Sequence, residues 1–247
     1  MAPLLALTGI HKQFGKVVVA ADLSIDLEAG GTLGIVGPNG AGKSTLFAMI
    51  SGDLKPDSGR IEFDGHDITA MPAHQRCRAG IGRTYQIPRP FEKMTVFENV
   101  LVCAREGGGL HGHDAYDKAM FVIDKCGLGK HLNQRTGGLP LLQRKRLEMA
   151  RGMATGPKLL LLDEVAGGLT RPEVAELVDL IRAVREAGVS LLWIEHVVHA
   201  LVESVDRLIC LAGGEIVADG TPAQVLANDR VRELYLGQAP GEAQGAA

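Results

Sequence analysis

Apolar and polar positions along this chain follow two different periods, and the period changes several times. Near the N-terminus Leu23, Ile25 and Leu27 alternate with Ser24 and Asp26, the two-residue repeat of a half-buried strand. Gly30-Gly31 ends that run, and the first 30 residues read as an antiparallel β unit. Thr32–Val36 is nearly all apolar, which predicts a strand buried on both faces. Leu46, Phe47, Met49 and Ile50 then predict a helix starting at Lys43. A further strand is predicted near Arg60–Phe63, between the turn sequences Asp57-Ser58-Gly59 and Asp64-Gly65.

From about residue 90 to 150 the pattern reads as a helical insert. Thr95 and Glu98 have capping-box spacing ahead of Val96–Ala104. Gly107-Gly108-Gly109 separates this from a second predicted helix, Asp114 to about Lys125. Tyr116, Ala119, Met120 and Ile123 share one face of it, and Gly127 closes it. Alternation of strand and helix then resumes. Leu159–Leu162 predicts an apolar strand. Thr170 and Glu173, with Pro172 in the first turn, open a helix carrying Val174, Leu177, Ile181 and Val184, stopped by Gly188. Val189–Ile194 is another buried strand, and Gly213-Gly214 turns a hairpin. The expected class is α/β, with one domain over residues 1–237 and a frayed tail over 238–247.

Composition narrows the classes. The 247 residues are 46% hydrophobic and 22% charged, which is globular and long enough for a sizeable core. The net charge of −3 leaves no basic excess to neutralise phosphates, so no nucleic-acid partner is expected. No apolar run approaches the roughly 18 residues needed to span a bilayer. Met1-Ala2-Pro3-Leu4-Leu5 lacks the positive start of a signal peptide. Cys77, Cys103, Cys126 and Cys210 form no C-x-x-C pair and predict buried free thiols. His111-Gly112-His113 lack ligand partners at useful spacing and predict a solvated loop.

The candidate chemistry begins at Gly37-Pro38-Asn39-Gly40-Ala41-Gly42-Lys43-Ser44, a match to G-x-x-x-x-G-K-[ST] with Thr45 following. Glycines let consecutive N–H groups turn inward around phosphates. Lys43 supplies charge for the β- and γ-phosphates, and the Ser44 hydroxyl suits Mg²⁺. A strand before the loop and a helix after it are the context the motif requires. Downstream, the apolar strand ends in Asp163 and Glu164. Asp163 suits Mg²⁺, directly or through water. Glu164, pointing to the other side of the pleat, suits a general base on water. Two acids can also simply begin a loop; the phosphate loop upstream tips the reading toward chemistry. His196 follows the last buried strand and suits a hydrogen bond to a γ-phosphate, although a lone histidine is more often structural. Gln86 precedes the break Pro88-Arg89-Pro90 and offers an amide to Mg²⁺ or water. Phe14 alone reads as a core aromatic.

In order and spacing these positions resemble the ATPase subunit of ATP-binding cassette (ABC) transporters, over about residues 4–237. Gly37–Ser44 matches Walker A, and Leu159–Glu164 matches Walker B with its catalytic glutamate. Gln86 falls at the Q-loop and His196 at the switch histidine. Phe14, in Gln13-Phe14-Gly15, falls where the family stacks an aromatic on adenine. The resemblance implies a P-loop NTPase (RecA-like) core, an antiparallel β subdomain and a helical subdomain that meets a membrane partner. It implies ATP and Mg²⁺, with Ser44, Gln86 and Asp163 at the metal. It also implies a second ATPase subunit, with a heterodimer favoured over a homodimer, two transmembrane permease subunits and, indirectly, a substrate-binding protein. The location implied is the cytoplasmic face of the inner or plasma membrane.

Arg83-Thr84-Tyr85-Gln86 and Phe91-Glu92-Lys93-Met94-Thr95-Val96-Phe97-Glu98-Asn99-Val100 resemble, more narrowly, the ATPases of branched-chain amino acid uptake (LivG-like). So do Ile194-Glu195-His196, Gly220-Thr221-Pro222 and Tyr235-Leu236-Gly237. That group includes amide and urea importers. Lipopolysaccharide-export ATPases are close relatives that usually lack the R-T-[FY]-Q form. ABC-type ATPases acting on DNA or ribosomes carry coiled-coil insertions or tandem cassettes, and this chain has neither. The signature L-S-G-G-Q is altered to Leu139-Pro140-Leu141-Leu142-Gln143, without the serine or either glycine. Arg146, Glu148, Ala150 and Arg151 support this register; one using Thr136-Gly137-Gly138 needs about one more helical turn. Val165 stands in place of a proline, and Thr170 in place of the D-loop Asp or Asn. These departures leave open an asymmetric dimer, or a regulatory subunit with weak hydrolysis.

Overall fold

The computed structural model describes residues 2–236. In chain order, β1 (Leu5–Phe14) and β2 (Val17–Leu27) form an antiparallel hairpin, and β3 (Thr32–Val36) feeds α1 (Lys43–Ser51). There follow β4 (Ser58–Phe63), β5 (His66–Asp67), α2 (Ala73–Ala79) and β6 (Ile81–Arg83). The helical stretch holds α3 (Val96–Val102), α4 (Gly112–Lys125) and α5 (Leu141–Ala154). The α/β alternation returns as β7 (Leu159–Asp163), α6 (Arg171–Glu186), β8 (Ser190–Ile194) and α7 (Val198–Val202). The hairpin β9 (Arg207–Ala212) and β10 (Glu215–Gly220) precedes α8 (Pro222–Ala227) and α9 (Asp229–Leu236). Gly237 and the tail expected over 238–247 lie outside the described residues.

Two sheets organise these elements. A four-stranded antiparallel sheet runs β2-β1-β4-β5, and a six-stranded sheet runs β10-β9-β3-β8-β7-β6. The second is parallel from β9 to β6, with β10 antiparallel at its edge. Every residue of β3, β7 and β8 is buried, as a parallel strand covered on both faces requires. Strand alternation divides the interior into two. Leu159, Leu161, Leu192, Ile194, Leu33 and Ile35 pack toward α1 and the antiparallel sheet. Leu160, Leu162, Leu191, Trp193 and Val36 pack toward α6 and the helical stretch. The phosphate-loop motif and the Asp163-Glu164 pair thus come to the C-terminal ends of β3 and β7, on either side of β8 in one sheet.

Arg76 fixes the far end of α1. Its guanidinium, 1% exposed, donates to the carbonyls of Met49 (2.6 Å) and Ile50 (2.9 Å) in the last turn of α1, and to Met71 (2.8 Å) and Thr69 (3.1 Å). Helix C-termini leave carbonyls without intrahelical partners, and here a buried arginine satisfies two of them.

Several expectations are corrected in detail. The predicted helix Val96–Ala104 is α-helical only to Val102 and continues as a π turn over Cys103–Gly107. The buried face of α4 is Ala115, Ala119, Val122 and Ile123; Tyr116 is exposed, with its ring 5.0 Å from that of Phe97. Small residues let α4 approach α3 closely, which leaves the tyrosine at the rim. His113 lies in the first turn of α4 rather than in a loop. Cys126 and Cys210 are buried, Cys77 and Cys103 only half-buried, and all four are free thiols. Thr221 and Gln224 form a capping box on α8, with Pro222 at its start. Among the described residues no helix is long and apolar enough to cross a membrane.

Candidate functional site

The loop from Gly37 to Gly42 closes on its neighbours at two glycines. Gly37 has φ 152° and Gly42 φ 98°. A Cβ on Gly37 would lie 2.1 Å from the Leu211 carbonyl oxygen, and one on Gly42 2.2 Å from that of Val19. No other residue type fits either place. Gly42 is the N-cap of α1; no side chain caps the helix and no acid lies in its first turn. The N–H groups of Lys43, Ser44 and Thr45 are therefore those that helix geometry leaves without an intrahelical acceptor. They face a cavity of about 230 Å³ lined by Phe14, Val19, the loop from Asn39 to Thr45, and Glu164.

Lys43 is 5% exposed, and its Nζ donates to the Gly37 carbonyl (2.7 Å) and the Pro38 carbonyl (3.0 Å). Burial pushes its pKa below the ordinary lysine value, against the attraction of Glu164, Cys210 and Asp163. An uncapped helix start, a glycine cradle and a buried cation are a donor set that fits phosphates. Phe14 stands at the end of β1, 51% exposed, with Lys12 Nζ 5.5 Å from its ring centre. It is not a core aromatic; its free face borders the phosphate loop.

The acids occupy different environments. Asp163 ends β7, 6% exposed, and pairs with Arg83 Nη2 at 3.1 Å. Burial raises its pKa, and the Arg83 hydrogen bond opposes that rise. Arg83 also reaches Asp53 (2.9 Å) and Ser51 (3.0 Å) at the end of α1. Glu164 does not follow the pleat: it leaves the strand in the left-handed region, φ 46°. Its carboxylate then turns to two partners. Gln86 Nε2 donates to Oε2 at 2.5 Å, and His196 Nε2 lies 2.8 Å from Oε1. Three residues from separate segments, all singled out in the sequence, thus meet at one carboxylate beside the phosphate loop. Ser44 is exposed at the start of α1, and Gln86 donates through Nε2 to Glu164, which leaves its Oε1 as an acceptor. The oxygen donors on offer to a hard cation are Ser44, Asp163 and Gln86 Oε1. Among the described residues no group of three or more His, Cys, Asp or Glu side chains forms a cage. Mg²⁺ is held by one or two protein ligands together with substrate phosphates, a donor set that these oxygens fit.

Two buried charged residues beside the site were given no role by the sequence. Lys145, 4% exposed on α5, donates to the carbonyls of Gln86 (3.1 Å) and Glu164 (3.2 Å). Glu195, 2% exposed, accepts from the N–H groups of Ala166 (3.0 Å) and His196 (3.1 Å). The signal for Lys145 was present: it shares a buried stripe of α5 with Leu142 and Met149. The N-terminus of α5 falls at the altered signature, with Pro140 as N-cap. Leu141, 40% exposed, reaches within 3.1 Å of the place a Cβ of Gly168 would occupy.

The ABC transporter family profile matches residues 20–167, and a second profile, branched-chain amino acid ATP-binding cassette transporter, matches residues 215–240. The chain is 34% identical over 252 residues to the high-affinity branched-chain amino acid transport ATP-binding protein BraF of Pseudomonas aeruginosa, covering 96% of this chain and 99% of the relative. It is 32% identical over 236 residues to the lipopolysaccharide export system ATP-binding protein LptB of Haemophilus influenzae, covering 95% and 98%. A crystal structure of an ATP-binding cassette of an ABC transporter, in its ADP conformation, matches with a TM-score of 0.87. That match is at 29% identity and covers 96% of this chain and 100% of the other.

Proposed function

Since the chain belongs to the ABC transporter family as an ATP-hydrolysing subunit, we propose that it powers an importer of branched-chain amino acids or related amino acids, amides or urea. Residues 1–237 act as one ATPase domain, with the insert over about 90–150 as the helical subdomain. That domain works at the cytoplasmic face of the membrane, paired with a second ATPase subunit on two permease subunits served by a substrate-binding protein.

The observation that carries the chemistry is the Glu164 carboxylate, held between Gln86 Nε2 and His196 Nε2 at the edge of the phosphate-loop cavity. ATP is the substrate, and its phosphates fit the cradle of Gly37, Gly40, Gly42, Lys43, Ser44 and Thr45. Mg²⁺, when bound at Ser44, Asp163 and Gln86 Oε1, supplies positive charge against the phosphate oxygens. Phe14 offers its exposed face to the adenine. Glu164 takes a proton from the attacking water, with Gln86 and His196 orienting the carboxylate. His196 then hydrogen-bonds the γ-phosphate, and Gln86 carries the state of the site to the permease.

The test is steady-state ATP turnover of Glu164→Gln in the assembled complex. General-base catalysis contributes about 10²–10⁴-fold, so kcat falls by at least about 100-fold while nucleotide binding is retained. Unchanged turnover removes the base assignment. Lipopolysaccharide-type export is the second reading, favoured by the 32% identity to the Haemophilus influenzae protein. The C-terminal match over residues 215–240 favours import. Co-purification from the native membrane, with mass identification of each subunit, separates the two.

A further inference from the structure

We propose that Lys145 is a positioning residue for hydrolysis: its ammonium ties the backbone of Gln86 and of Glu164 to α5, so that the position of α5 sets the position of the Glu164 carboxylate. The proposal rests on Glu164 being the general base.

A buried ammonium needs partners, and an apolar residue of similar volume would fill the same space at a smaller desolvation cost. Lys145 spends its donors on two main-chain carbonyls, Gln86 at 3.1 Å and Glu164 at 3.2 Å. The side chains of those same two residues touch each other. Lys145 therefore closes a ring through Gln86 and Glu164, with backbone contacts on one side and the amide–carboxylate contact on the other.

Glu164 needs such a restraint. Its left-handed backbone, φ 46°, is unfavourable for a residue with a Cβ and persists only where neighbours hold it. Its N–H donates to the Ile194 carbonyl at 2.9 Å, and its carbonyl accepts from Gly167 N–H at 3.3 Å and from Lys145. Lys145 is the one of these holds that comes from the helical stretch. The same helix grips the loop after Gln86 further along: Glu148 accepts the Arg89 N–H at 2.8 Å, and Arg151 donates to the Arg89 carbonyl at 2.8 Å. The loop is laid along three successive places on α5, and only the first reaches Glu164 as well. Burial lowers the Lys145 pKa, while Glu195 and Glu164 act to keep it charged. Glu195 in turn binds the His196 N–H, so both partners of the Glu164 carboxylate sit on this charged underlayer.

The experiment compares Lys145→Met, Lys145→Arg and Glu164→Gln in the full-length chain within its purified complex, together with the Lys145→Met/Glu164→Gln double variant. It reads kcat, KM for ATP, affinity for a fluorescent ATP analogue and Tm. The expected result is a loss of at least about tenfold in kcat for Lys145→Met, with KM and analogue affinity within about twofold, and recovery of most of kcat by Lys145→Arg. In the Glu164→Gln background Lys145→Met changes residual turnover by less than about twofold, because the group it positions is gone. Lys145→Met turnover near wild type, or an equal loss in both backgrounds, overturns the positioning role while leaving the base intact. Unchanged turnover in Glu164→Gln overturns the base reading and the proposal with it. Should loss of the Lys145 charge near buried Glu195 prevent Lys145→Met from folding, Lys145→Met/Glu195→Gln removes both charges. Restored Tm without restored kcat then supports the proposal, and restored kcat overturns it.

Discussion

Gly37, Gly40 and Gly42 are the same residue type within one loop, yet they do different things. Gly37 and Gly42 would drive a Cβ into a carbonyl oxygen, whereas a Cβ on Gly40, at φ 79°, meets nothing within 4 Å. Gly37→Ala is therefore expected to cost about 1–3 kcal/mol from overpacking, and to weaken ATP binding by at least tenfold. Gly40→Asn, a residue that tolerates the left-handed region, keeps Tm within about 2 °C. Thermal melts and nucleotide titrations of the two variants check this contrast. The loop's chemistry was legible in sequence because eight contiguous residues carry it. Which glycines are closed in was not, because the obstructing carbonyls belong to Val19 and Leu211, which lie far away along the chain. Glu164 teaches the same lesson: the sequence identified the residue, but its left-handed turn, not the pleat, gives its direction.

Elements announced themselves where burial was complete or a cap was explicit. Leu33–Val36 of β3, Leu159–Leu162 of β7 and Leu191–Ile194 of β8 are unbroken apolar runs because both faces are covered; Thr32, Asp163 and Ser190 stand only at the strand ends. The Thr95–Glu98 box forms at α3 as its spacing predicts: the Glu98 N–H donates to Thr95 Oγ1 at 3.2 Å, and Thr95 N–H donates to Glu98 at 2.7 Å. Thr95→Ala is expected to cost about 1 kcal/mol, or about 2–4 °C in Tm. The hydrogen bonds from the Thr95 backbone and side chain hold the Glu98 carboxyl below the ordinary glutamate range. Glu173 is held low in the same way by Thr170. A carboxylate with a depressed folded pKa stabilises the protein above its unfolded value, about 4.3, and the benefit is lost as pH falls through the folded value. A double Glu98→Gln/Glu173→Gln variant should accordingly show a shallower fall in Tm than wild type below about pH 4.5, read by melts from pH 7 to 3. Short helices were harder to read. α2 has seven residues and α7 five, too few to display a 3.6-residue period. On α4 Ala119 and Ile123 are buried as the pattern predicts, but Ala115 and Val122 complete that face while Tyr116 is exposed and Met120 half-buried, so the bulkiest side chains mark its rim.

At the scale of the whole molecule, the two halves of the nucleotide machinery are unequal. The phosphate-loop half has its cradle, cation and carboxylate assembled. The signature half starts α5 with Pro140-Leu141-Leu142, offers no hydroxyl, and turns Leu141 against its own Gly168. If the chain pairs with a different subunit whose signature is intact, we expect this chain's own phosphate-loop site to be the fast one, and the partner's site, completed by this signature, the slow one. Glu164→Gln here should abolish most ATP turnover and transport, while the same change at the partner's equivalent glutamate removes little. Equal losses from the two variants would falsify the asymmetry. What the sequence by itself determined was the class of fold, the phosphate loop and the identities of Asp163, Glu164, Gln86 and His196, because local spacing and strand periodicity are written in contiguous residues. Only the tertiary structure decided what those groups face. Gln86 and His196 lie 78 and 32 residues from the glutamate they hold. Lys145 reaches it from a third segment, and no local pattern encodes a direction that three distant stretches of chain set together.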